Sequence, residues 1–164
     1  MKLLWIILLS TVLFSQNVYK EKNTELVDKI KVDKNTLKPI NGIVKTYDPS
    51  SVLFSETSYK DGKKDGTFKL YSETGKKIIL ETPYKDGKEN GIEKAYYPAG
   101  ELLVETPYKD GKKDGIMKAY YENGELLEEI IFENNKAIRG FKYNQFGEKR
   151  KMTNAHIYNI NREK

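Results

Sequence analysis

The chain has no cysteine, so disulfides and thiolate metal sites are excluded. It has one histidine, His156, which leaves no catalytic triad and no histidine metal cluster. Apolar residues are scarce, at 38%, while charged residues reach 32%. A chain this poor in apolar residues does not fill a deep spherical core. A thin or elongated architecture fits the 164 residues better. There is no basic block either: the formal charge is +5, but Lys and Glu alternate through the middle. Nucleic-acid binding, which needs a clustered basic stripe, is not expected. What the chain does have is 12 Tyr, a residue that covers apolar neighbours while its hydroxyl stays wet.

Only one long apolar run occurs, at residues 3–14, after a single cation at Lys2. A charged start and an apolar run of this length are the pattern of a secretory signal. The run is short for a membrane span, which needs about 20 residues. Residues 1–15 are therefore read as a signal peptide, and the protein as exported to the periplasm, cell envelope or medium. Residues 16–34 are read as a lead-in segment, 35–147 as the main domain and 148–164 as a basic tail.

The main domain is repetitive. "YKDGKKDG" starts at Tyr59 and again at Tyr108, and "YKDGKENG" starts at Tyr84. With Phe132, the opening aromatics are spaced 25, 24 and 24 residues apart. A fixed period in this range marks a repeat architecture. Each unit reads as a β-hairpin. In the last full unit, "IMKAYYE" and "ELLEEIIF" flank Asn123-Gly124, a pair suited to a type I′ turn. Pairing the strands about that turn sets Tyr121 opposite Leu126, Tyr120 opposite Leu127 and Lys118 opposite Glu129. The same construction sets Lys94 opposite Glu105 and Lys45 opposite Glu56. Opposite charges across a ladder stabilise it. The unit from Asp65 is one residue longer and sets Lys69 opposite Leu80, with Glu81 one step on. This predicts a β-bulge within residues 76–81. "YKDGKKDG" is then the polar link between hairpins. The fold class is all-β, an elongated antiparallel meander of four to five stacked hairpins. In the tail, "HIYNI" reads as a last edge strand or as disorder.

The spacing G-x-x-K-x-Y-Y-x-N-G-x-L-x-x-E-x-x-Y-x-x-G-K-x-x-G, recurring over residues 35–147, resembles the bacterial variant of the MORN repeat. That resemblance implies ribbons of successive hairpins that serve as scaffolds or membrane-surface modules. Bacterial variants are often catalogued with the YwqK family, described as antitoxins. Some carry a phosphatidylinositol phosphate kinase label, because plant enzymes of that class have MORN repeats beside a kinase domain.

The residues themselves assemble no chemistry. "DGKKDG" lacks the G-x-x-x-x-G-K-[ST] spacing of a phosphate loop and does not precede a helix. Asp61, Asp65, Asp86, Asp110 and Asp114 lack EF-hand spacing and are read as turn formers. No enzyme activity, cofactor or metal site is expected. The one candidate binding feature is a ladder of Tyr47, Tyr71, Tyr96 and Tyr120 beside Lys45, Lys69, Lys94 and Lys118. Such a ladder grips a partner or joins adjacent hairpins. The expected function is a non-catalytic exported module that binds a protein partner. An antitoxin acting by binding and a membrane-lipid surface module are the alternatives.

Overall fold

The structure, a computed structural model, describes residues 17–162. The signal-peptide assignment at 1–15 lies outside the described residues. The chain opens with β1 (Val18–Lys20), a 3-10 turn (Glu21–Asn23), β2 (Thr24–Val27) and β3 (Ile30–Asp33). The repeats follow as β4 (Gly42–Tyr47), β5 (Leu53–Lys60), β6 (Lys63–Tyr71), β7 (Ile78–Lys85) and the two-residue β8 (Lys88–Glu89). Next come β9 (Gly91–Tyr96), β10 (Leu102–Lys109), the short β11 (Lys112–Lys113), β12 (Gly115–Tyr120) and β13 (Leu126–Glu133). The end is β14 (Lys136–Tyr143), β15 (Lys149–Lys151) and α1 (Asn154–Ile160).

From β4 to β15 the long strands follow chain order in one antiparallel meander, with the two-residue β8 and β11 pairing back onto β7 and β10, the all-β fold that the repeat implies. The outer strand β1 is an addition to that plan, because it pairs parallel with β4. β2 and β3 form a separate hairpin.

Two kinds of turn alternate, and the sequence reading had them exchanged. The tight turns are at the links. Lys60 pairs with Lys63 around Asp61 (φ 50°) and Gly62 (φ 74°), both left-handed, which is a type I′ turn. Asp86-Gly87, Asp110-Gly111 and Asn134-Asn135 repeat it. At Asn123-Gly124 only Gly124 is left-handed. There the Gly124 N–H donates to the Tyr121 carbonyl (2.9 Å) and the Tyr121 N–H to that of Glu125 (2.8 Å). That is a wider loop closed by a glycine bulge. It moves the last pair by one, so Tyr120 faces Leu126 rather than Leu127, and Tyr121 lies in the loop. Lys118 still faces Glu129.

The bulge expected within residues 76–81 is present, since the register shifts between the Leu70–Leu80 and Tyr71–Ile78 pairs. It is not particular to the long unit: equivalent shifts occur in the other three hairpins. The extra residue is taken up in the loop, where the Ser72 N–H reaches the Lys77 carbonyl at 2.8 Å. Lys69 therefore faces Glu81, not Leu80.

"HIYNI" is neither a strand nor irregular; it lies in α1. Thr153 caps the helix by accepting a hydrogen bond from the His156 N–H at 3.2 Å. Ile157 and Ile160, three apart, then share one helical face and pack on a small core of Ile130, Phe132, Ala137 and Met152. At the other end Ile40 is fully buried, near Val32 and Val44 in the same terminal part of the fold. The buried apolar residues thus sit toward the two ends of the stack, with Thr57 opposite Val44, and the buried threonines Thr82 and Thr106 occupy the middle.

Candidate functional site: one face of the repeat sheet

Cross-strand partners share a face, and successive residues alternate between faces. The register therefore places Lys45, Glu56, Lys69, Glu81, Lys94, Glu105, Lys118 and Glu129 in one row across eight neighbouring strands. Every step reverses the sign of charge. Lys45 meets Glu56 at 2.7 Å, and Lys69–Glu81 and Lys94–Glu105 are at 3.9 Å.

A row of tyrosines runs beside it. The Tyr71 hydroxyl donates to Glu56 (3.0 Å), Tyr96 to Glu81 (2.9 Å), Tyr120 to Glu105 (3.2 Å) and Tyr143 to Glu129 (2.5 Å). Each bond joins one repeat to the repeat before it. Burial, then the Glu56 carboxylate, pushes Tyr71 up to about 12. Burial and the same kind of glutamate raise Tyr96 and Tyr120. Burial works against ionisation of Glu56, but its bonds from Lys45 and Tyr71 win and hold the carboxyl below its ordinary value.

All eight candidate residues thus lie on one face, as the ladder reading requires. Tyr47 differs from the rest. It is 43% exposed and has only Lys20 above its ring, 5.9 Å from the centroid. It belongs to the first repeat, so no preceding repeat supplies the equivalent glutamate.

The sequence reading missed a third row on this face. Pro83, Ile92, Pro107, Ile116 and Ile131 follow one another across the strands, next to the Lys/Glu row. Ile92 is 51% exposed and Ile116 48% exposed. An isoleucine two positions before the repeated lysine was the available signal.

The opposite face is closed. Thr82 is 2% exposed and donates to Glu93 at 2.8 Å. The Tyr84 hydroxyl donates to Glu89 at 3.1 Å. The opening aromatic of each "YKDG" phrase therefore packs inward. The acidic residues of the phrase serve the backbone. Asp65 accepts from the Asp86 N–H at 3.2 Å, and Asp114 accepts from the Asn134 N–H at 3.4 Å. Each such bond fixes the start of the next link turn. Among the described residues no group of His, Asp and Glu is placed to hold a metal ion.

The family model described as MORN repeat variant matches residues 40–61, 64–86, 89–110 and 113–134, together more than half of the chain. The chain belongs to the MORN repeat variant family. Each matched interval after the first begins at the strand leaving one link turn, and all four end at the next such turn. The MORN unit in this protein is thus one wide hairpin plus half of each flanking link. The hairpin of β14 and β15 lies beyond the matches but keeps the wide turn, with the Asn144 N–H on the Glu148 carbonyl at 3.2 Å. No curated protein matches the chain.

Proposed function

We propose that this MORN protein is a non-catalytic, exported module that binds a protein partner on the face carrying the Ile, Lys/Glu and Tyr rows. The observation that carries the reading is the recurrence of a half-exposed isoleucine, Ile92 and Ile116, at one position of successive repeats. Isolated exposed apolar residues need no explanation, but a row rimmed by polar residues marks an interaction surface. Lys45, Lys69, Lys94, Lys118, Tyr47, Tyr71, Tyr96 and Tyr120 form the polar rim of that surface. The charged start and apolar run in residues 1–15 support export.

A photo-crosslinker placed at position 92 or 116 in living cells tests the reading. A discrete partner band at both positions, absent when the crosslinker stands at inward Thr82, is the expected outcome. Equal labelling at all three positions, or none, removes the surface from the account. Edman sequencing of the mature protein tests export separately.

A further inference from the structure

The link turns carry a feature that turn formation does not require. Around each of the first three link turns a lysine stands directly opposite a lysine: Lys60 and Lys63, Lys85 and Lys88, Lys109 and Lys112. Asp and Gly supply the turn conformation, so these flanking positions are free to be anything polar. Like charges directly opposite each other destabilise a ladder. The same sheet avoids that pairing in its central row, where Lys faces Glu at every step. All six side chains are exposed, and among the described residues none forms a salt bridge. The fourth link breaks the pattern, with Glu133 opposite Lys136.

Alternation along β5, β7 and β10 puts Lys60, Lys85 and Lys109 on the face of Glu56, Glu81 and Glu105, and their cross-strand partners share it. The three pairs therefore form one line along the edge of that face. Successive pairs are two strands apart, about 9.5 Å at ordinary strand spacing. That is close to the Debye length of about 8–10 Å at physiological salt. A chain of negative groups laid along the line therefore interacts with all three pairs. A flat anionic surface meeting the same edge also faces Asp61, Asp86 and Asp110, exposed at the turn tips.

We infer that the paired link lysines form a binding line for a linear polyanion, a polymer with a phosphate or carboxylate at each repeat of its chain. The polymer's charges relieve the Lys–Lys repulsion built into each turn. The line is separate from the isoleucine row and does not depend on the protein-partner reading.

The probe is fluorescently labelled long-chain polyphosphate, titrated with the full chain at several salt concentrations. Three variants each remove one pair: K60Q/K63Q, K85Q/K88Q and K109Q/K112Q. Each is expected to weaken binding roughly three- to tenfold at low salt. Each should also flatten the slope of log affinity against log salt by about 1.4, taking about 0.7 per released counterion. K76Q/R150Q removes two exposed cations elsewhere and I92S/I116S alters the isoleucine row; both should leave the slope unchanged. Equal losses in K76Q/R150Q would reduce the effect to net charge and overturn the inference. So would competition by inorganic phosphate at matched phosphate concentration, or binding to anionic phospholipid vesicles but not to polyphosphate.

Discussion

The hydroxyl of Tyr96 donates to the carboxylate of Glu81 at 2.9 Å, fifteen residues back and one repeat earlier. Glu81 also lies between Lys69 and Lys94 in the charged row. One glutamate thus fastens its own hairpin and the next. Phenylalanine at 96 keeps the ring and removes the bond. A bond to a charged group contributes about 1.5–3 kcal/mol when buried. Here the carboxylate keeps access to water, so Y96F should cost about 1 kcal/mol in urea unfolding. Y47F removes a hydroxyl that has no such glutamate and should leave the midpoint unchanged. Equal effects of the two would dismiss the inter-repeat bond as a source of stability.

Alkali should dissolve the same ladder. Burial, then the neighbouring glutamates, raises the phenols: Tyr71 of the ladder and Tyr108 on the opposite face each reach about 12 from an ordinary 10.0. A folded value above the unfolded one means that the contribution is whole below pH 10 and fades as pH rises through 12. Phenolate absorbance should therefore rise in two phases, the later one coinciding with loss of the β-sheet circular dichroism signal. A single ionisation near 10 with the sheet intact would contradict the assignment. The carboxylates act oppositely. The Glu129 carboxyl is lowered, first by the Tyr143 hydroxyl and then by Lys149 after the cost of burial. Its contribution is present above pH 4.5 and is lost as pH falls through the depressed folded value.

Much of the meander could be read from spacing alone, because the pattern recurs with so little change. Three units gave the Lys–Glu register independently, and the central row confirms it. The turn types were not readable from dipeptides. Asn-Gly suits either turn, and the loop closing on Glu125 is decided by the bulge beside it, a property of the ladder. α1 was missed for a related reason. "HIYNI" has strand-forming residues, and it is the Thr153 cap and the core under Ile157 and Ile160 that decide for a helix. On the site face, the tyrosines were visible as a period. Their glutamate partners lie fifteen residues back, a separation set by strand order rather than by any local pattern.

Two glycines, Gly91 at the end of a link phrase and Gly124 in a wide turn, should separate steric from conformational cost. Gly91 has φ 123°, and a Cβ there would stand 2.8 Å from Pro83 Cγ. Gly124 has φ 84° with nothing within 4 Å. G124A should cost about 1–2 kcal/mol, the strain of a left-handed alanine. G91A adds displacement of the proline ring, so it should cost more, about 3 kcal/mol. Thermal unfolding of the two variants gives the order. If G91A were the milder change, the close approach of the two strands would not be holding the register.

The C-terminal cap depends on a single side chain. Asn161 accepts from the Ala137 N–H at 2.8 Å and donates to the Ala137 carbonyl at 3.0 Å. Ala137 is buried and pairs with Phe132, just where the β13–β14 register shifts. A buried amide left without a partner costs about 1–3 kcal/mol. N161A should therefore destabilise the fold by about 2 kcal/mol and speed hydrogen exchange at Ala137. N161D keeps the acceptor for the Ala137 N–H but loses the donor to the Ala137 carbonyl. It should preserve protection at that amide while recovering only part of the stability. If instead both variants exchange at the parent rate, β14 is held by Ile157, Ile160 and Met152 alone, and Asn161 is only a surface residue following the helix.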